Sequence, residues 1–179
     1  MSEKVKRTKR EIAYKGKILE VYKDHMDIDG TESIWDFIHL KGGAAVIPVM
    51  DDGRILLIQQ YRNAIDGYSL EIPGGVYDEA GEDGATCALR ELKEETGYVA
   101  GKLDWLLSVH SLIAFSDEKV NIYVAKELCG GTRHLDEEED IEVVILSLDE
   151  IKEKLYSGYI TDAKTVAGLW AYISQETNI

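Results

Sequence analysis

Apolar and polar side chains alternate through KILEVYKDHMDI (residues 17–28) and SIWDFIHL (33–40), with DGTE between them. Period-two alternation suits a strand with one buried face, and Asp-Gly is a hairpin signal, so the pattern predicts two antiparallel strands. AAVIPVM and ILLIQQYR follow around the turn DDGR. Their nearly continuous apolar runs predict a second hairpin buried more fully in the core. YSLEIPGG predicts a short strand broken by Pro-Gly-Gly. The stretch DEAGEDGATCALRELKEETG predicts a loop and then a helix, acidic at its start and stopped by Gly97. LDWLLSVHSL, VNIYVAKEL and IEVVILSL predict further strands. LDEIKEKLYSG and TDAKTVAGLWAYISQ predict amphipathic helices started by Asp149 and Thr161. The order is that of a mixed α/β (α+β) protein without repeats or linkers. Residues 1–40 form an N-terminal strand subdomain and 41–179 the main domain.

Composition narrows the function classes. The chain has 179 residues, enough for one well-packed core, and 20 basic against 34 acidic side chains give a formal charge of -14. Such a surface argues against nucleic acid or an anionic membrane as the main partner, and a phosphate-bearing ligand would need a cation in its site. No apolar run approaches the roughly 20 residues that span a bilayer. The basic opening MSEKVKRTKR lacks the apolar segment of a secretory signal and is read as a solvated start, which points to a cytoplasmic protein. Cys87 and Cys129 have no C-x-x-C spacing, and isolated cysteines of this kind behave as small buried hydrophobes.

The helix at RELKEETGY changes the picture. Glu91, Glu94 and Glu95 fall on one face, where like charges at i,i+3 and i,i+4 repel by a few tenths of a kcal/mol per pair. They also sit at the C-terminal end, where the helix dipole disfavours anions. On the same wheel Ala85, Ala88, Leu89 and Leu92 form the core-facing stripe, and neither Arg90 nor Lys93 lies among the glutamates. A solvated acidic face is the bland explanation. Hard divalent cations are the sharper one, because Mg²⁺ takes one or two carboxylates per ion together with water and substrate phosphate, so three or four carboxylates suit two or three ions.

The run Gly75…Glu82…Arg90-Glu91-Leu92-Lys93-Glu94-Glu95-Thr96-Gly97-Tyr98 resembles the box of the Nudix hydrolases, G-x5-E-x7-R-E-U-x-E-E-x-G-U with U aliphatic. Six residues rather than five separate Gly75 from Glu82, and Tyr98 takes the last aliphatic position. The resemblance implies a Nudix fold, a mixed β-sheet sandwiched between α-helices, here with an N-terminal antiparallel strand extension. It implies Mg²⁺, with Mn²⁺ as a substitute, in two or three ions held by Glu91, Glu94 and Glu95, with Glu82 and the carbonyl of Gly74 as further ligands. It also implies that Arg90 orients one of the glutamates.

Beyond the box, QQYR, LEIPGG, FSDE, DEEEDIEV and ITDAKTVAGL resemble the ADP-ribose pyrophosphatase branch. That resemblance implies Arg62 on the diphosphate, a role suited to its fixed fork of donors. It implies Glu137 as general base, with Glu138 one register step away, and Glu139 as a further metal ligand. Trp35 would stack on adenine from the partner subunit, with core packing as the alternative. Glu71 and Glu118 would be polar contacts to the nucleotide or terminal ribose. Leu112-Ile113-Ala114 stands where many such enzymes have Ser-Pro-Gly, which keeps other nucleoside diphosphate sugars open. The expectation is a homodimeric, Mg²⁺-dependent hydrolase of ADP-ribose, yielding AMP and ribose 5-phosphate. A broader nucleoside diphosphate sugar hydrolase is the runner-up, and a non-catalytic nucleotide sensor the alternative from another class.

Overall fold

A computed structural model describes residues 4–78, 81–133 and 140–176. The chain divides into two compact units, the first made of Met1–Gly42 with His110–Lys119 and the second of Gly43–Val109 with Val120–Ile179.

The first unit is an antiparallel meander of β1 (Val5–Lys15), β2 (Leu19–Ile28) and β3 (Thr31–Leu40). The β2–β3 turn places Asp29 and Gly30 at φ 53° and 88°, the paired positive angles of a two-residue hairpin turn, and sets the register Ile28 against Thr31. The start is solvated, as expected, since all but Glu11 of VKRTKREIAYK is exposed, but it is already a full strand, β1, that the pattern does not predict. Its charges hide the strand period, yet they are paired across it. Arg10 donates twice to Asp24 on β2 at 2.6 Å, and its guanidinium lies 3.7 Å from the Phe37 ring centroid on β3. The segment 110–119 joins this unit through the Ile38 amide, which donates to the Phe115 carbonyl, and through His39 Nδ1, 2.8 Å from Asp117.

In the second unit β4 (Gly43–Pro48) lies between β7 (Gly74–Val76) and β9 (Lys119–Gly130). It pairs parallel with β9, whose other neighbour is β8 (Tyr98–His110). A second sheet runs β10 (Ile141–Leu146), β5 (Ile55–Arg62), β6 (Gly67–Glu71). The predicted β4–β5 hairpin is borne out only beside its turn, where Val49 bridges Ile55 antiparallel and the Met50 amide donates to the Arg54 carbonyl; beyond that, DDGR hands the chain from one sheet to the other. A local turn signal carries no information about which sheet the next strand joins.

The unbroken apolar run of β4 has a direct cause. Ala45 and Ile47 pack into a cluster with Ile122, Leu169 and Ile173, whereas Ala44 and Val46 pack with Cys87, Ala88 and Leu92. Both faces of the strand are covered, one by α3 (Ala163–Glu176) and the other by α1 (Gly84–Thr96), which gives a mixed sheet between helices. α2 (Leu148–Tyr156) starts from Ser147 in a capping box with Glu150, not from Asp149. α3 starts from Asp162, whose Oδ2 accepts from the Thr165 amide, not from Thr161. No helix of the described residues is long and apolar enough to cross a membrane.

Candidate active site

The carboxylate helix α1 is punctuated at both ends. Asp83 caps it, accepting from the amides of Ala85 and Thr86, and Gly97 ends it at φ 77° with its amide donating to the Lys93 carbonyl. Its buried stripe is Cys87, Ala88, Leu92, Glu95 and Thr96, which corrects the expected one, because Leu89 is exposed. A carboxylate thus lies on the inner side of the helix. Glu95 is 3% exposed, and its Oε2 accepts from the Gly74 amide at 2.8 Å.

The other acids converge on Arg90, contrary to the wheel, which kept that residue apart from them. Its Nη1 donates to Glu91 Oε1 at 2.7 Å and to Glu94 Oε2 at 3.0 Å, while Nε and Nη2 reach the two oxygens of Glu82 at 3.1 and 3.3 Å. Nη2 also donates to the Val76 carbonyl at 3.0 Å, tying the helix to the end of β7. A long flexible side chain can bend along a helix in a way that a wheel of Cα directions does not show. Burial works against the Arg90 charge, but Glu82 and Glu91 outweigh it and raise its pKa above the usual guanidinium range. The Glu82 carboxyl is in turn held below its ordinary value by Arg90 and by the Asp78 amide.

Gly75 makes room for this cluster: a Cβ there would lie 2.3 Å from Glu91 Oε1. Cys87 lies beneath it, and burial together with the charges of Glu82 and Glu91 pushes its thiol up to about 12, so it stays protonated and packs as a small hydrophobe. Cys129, by contrast, is exposed. Among the described residues no three His, Cys, Asp or Glu side chains form a ready metal shell. The donors present are nevertheless all hard oxygens, and the guanidinium already occupies the centre of charge with a cation. Two carboxylates plus water and phosphate is the complement Mg²⁺ takes, so the residues fit a hard divalent ion.

Arg62 and Glu71 form a second centre at the ends of β5 and β6. Arg62 Nε and Nη2 each donate to one Glu71 oxygen at 2.8 Å, and Lys164 Nζ lies 2.5 Å from Glu71 Oε2. Glu71 is 2% exposed, whereas the Arg62 side chain is partly open to a cleft of about 370 Å³. Burial raises the Glu71 carboxyl, but the Arg62 hydrogen bonds and the Lys164 charge prevail and hold it at about 2.

In the first unit, Trp35 on β3 is 47% exposed, which removes core packing as its explanation within that sheet. Glu118 is half-buried, its amide donating to Ser116 Oγ. Glu137, Glu138 and Glu139 lie outside the described residues. Sequence reasoning missed Lys164, Asp162 and Thr165, because ITDAKTVAGL carries only a helix-start signal and nothing marks a partner 93 residues earlier in the chain.

Comparison with known proteins adds independent findings. The NUDIX domain family model matches residues 39–168. The chain is 35% identical over 164 residues to a methanol dehydrogenase activator of Bacillus methanolicus, covering 90% of this chain and 88% of that protein. It is also 35% identical over 159 residues to an ADP-ribose pyrophosphatase of Bacillus subtilis (strain 168), covering 87% and 85%. A crystal structure of an ADP compounds hydrolase superposes with a TM-score of 0.86 over 98% of this chain and 95% of that one, at 23% identity, a likeness of fold.

Proposed function

The chain belongs to the Nudix domain family, and from that premise we propose that it is a metal-dependent pyrophosphohydrolase cleaving ADP-ribose to AMP and ribose 5-phosphate. ADP-ribose pyrophosphatases of this family use divalent metals; for this chain we assign Mg²⁺, replaceable by Mn²⁺, in two or three ions. The observation that carries the reading is the excess of carboxylate over cation around Arg90, drawn from α1 and the loop before it. Glu82, Glu91 and Glu94 share the Arg90 guanidinium, and Glu95 is fixed on the Gly74 amide beside them. That many carboxylates around one guanidinium, reaching the C-terminal end of α1, are better explained by bound cations than by solvation.

Glu91, Glu94 and Glu95, with Glu82, Glu139 and the Gly74 carbonyl, would hold the ions. Bound divalent ions supply neutralisation of the diphosphate, activation of water and stabilisation of charge on the bridging oxygen. Glu137, the assigned general base, takes a proton as the water oxygen bonds to phosphorus and the bridging oxygen leaves with the other phosphate. Arg62 contacts the diphosphate from its open edge, Glu71 and Glu118 serve the nucleotide or ribose, and Trp35 of the partner subunit stacks on adenine. Residues 1–40 are assigned to dimerisation and nucleotide contact and residues 41–179 to the hydrolase domain of a cytoplasmic homodimer.

A second reading is a broader nucleoside diphosphate sugar hydrolase, favoured by the loop at Leu112-Ile113-Ala114, where Leu112 and Ile113 are exposed and no proline stiffens the turn. Steady-state kinetics with Mg²⁺ across ADP-ribose and other nucleoside diphosphate sugars tests both. The highest kcat/KM for ADP-ribose, abolished by EDTA, is expected. Comparable values across the panel would favour the broader enzyme, and binding without products would overturn hydrolysis in favour of a sensor.

A further inference from the structure

The segment Glu71-Ile72-Pro73-Gly74 connects the arginine centre to the carboxylate helix, and each of its residues is pinned from outside the segment. Glu71 is held by Arg62 and Lys164. The Ile72 amide donates to Thr165 Oγ1 at 3.0 Å, the Pro73 carbonyl accepts from the Val46 amide at 2.9 Å, and the Gly74 amide donates to Glu95. Two of these five partners, Lys164 and Thr165, come from the first turn of α3. That turn is itself organised by Asp162, whose Oδ2 accepts from Lys164 Nζ at 2.9 Å, from the Thr165 hydroxyl at 2.6 Å and from the Thr165 amide at 3.0 Å.

We propose that Lys164 is a positioning residue, acting through Glu71 to fix the Arg62 guanidinium in the orientation that receives the substrate diphosphate; the substrate clause rests on the function proposed above. Glu71 engages Arg62 by the Nε and Nη2 edge in a fork, which settles the plane of the guanidinium and leaves Nη1 outside the pair. A carboxylate holding one arginine can still rotate about its own side-chain torsions. Lys164 removes that freedom with a further bond to Oε2, and Asp162 keeps the ammonium from swinging away. Arg62 and Lys164 against Glu71 and Asp162 is also a balanced set of charges, so it is stable without a ligand and can be rigid before substrate arrives. Lys164 is therefore not assigned any contact with the substrate.

The test combines kinetics with a direct view of Arg62. In Lys164→Met, KM for ADP-ribose should rise about tenfold with kcat within about threefold, Lys164→Arg should recover most of the loss, and in an Arg62→Ala background Lys164→Met should add nothing. A KM penalty that persists at full size without Arg62 would overturn the proposal, since Lys164 would then act on its own. By NMR on ¹⁵N-labelled protein, the Arg62 Nε–H should exchange with water about tenfold faster in Lys164→Met than in the wild type. Unchanged exchange would overturn it as well. The exchange measurement needs no turnover, so a wild type inactive on ADP-ribose would refute the functional reading while the positioning of Arg62 was still decided.

Discussion

The two charged centres of the second unit are built from the same chemistry and differ in balance. Around Arg90, three carboxylates hydrogen-bond to one guanidinium and a fourth, that of Asp78, lies 3.4 Å from it. Around Glu71, two cations share one buried carboxylate, and Asp162 restores neutrality. The balanced centre satisfies itself and acts as scaffold. The unbalanced one keeps its carboxylates only at a cost that a bound cation relieves. Balance, more than the mere presence of charged residues, separates the group that supports chemistry from the group that performs it.

That contrast is open to attack by mutation. Glu91→Gln and Glu95→Gln should each lower kcat at saturating Mg²⁺ by at least about a hundredfold while the protein stays folded. Full activity in either variant would move the metal site elsewhere. Gly75→Ala should cost activity in the same direction, because its Cβ must displace the Glu91 carboxylate.

Stability should show the reverse order. Glu71→Ala leaves Arg62 and Lys164 facing each other without their carboxylate and should destabilise by about 3 kcal/mol, whereas Glu91→Ala, drawn from an over-acidic cluster, should stay within about 1 kcal/mol. Equal losses in urea denaturation would erase the distinction between the centres. Acid sharpens it further. The folded-state value of Glu71, about 2, lies below its ordinary 4.5. Its contribution to stability is therefore complete above about pH 4.5 and is lost as pH falls toward 2. Glu71→Gln should flatten the stability profile between pH 5 and 2 relative to wild type. The smallest expected effect is thermal. Mg²⁺ at about tenfold over its Kd should raise Tm by about 3–6 °C in wild type, and EDTA should reverse it. In Glu91→Gln the shift should shrink.

The difference between the centres also explains what could be read from the sequence. The carboxylate helix was legible because its parts are local: Asp83 caps it, Gly97 stops it, and Glu82 through Glu95 lie within one loop and one helix. Repulsion among its glutamates was visible, but its relief by Arg90 depended on a side-chain path that residue spacing does not encode. Arg62 and Glu71 were both picked out by resemblance, yet their mutual pairing and the part played by Lys164 depend on contacts between strands and a helix distant in sequence. For the same reason the DDGR turn was recognised while the sheet change it performs was not. The solvated start was legible, but the strand bounds of β1 were not, because an almost fully exposed strand rich in charged residues, among them Arg10 paired to Asp24 on β2, lacks the apolar alternation that marks a buried face. The proposed base and the additional metal ligand, Glu137 and Glu139, fall outside the described residues.

The central claim, that the carboxylate excess around Arg90 exists to serve cation-dependent cleavage of a diphosphate, is tested most directly by ADP-ribose hydrolysis in ¹⁸O-labelled water. Wild type and Glu91→Gln would be followed with Mg²⁺ and with EDTA, and the products resolved by mass spectrometry. The account predicts AMP and ribose 5-phosphate in equal amounts from wild type with Mg²⁺, label in one of the two phosphates, and almost no product with EDTA or from Glu91→Gln. Bound but uncleaved ADP-ribose in the wild type, or cleavage undiminished by EDTA or by the loss of the Glu91 charge, would contradict it.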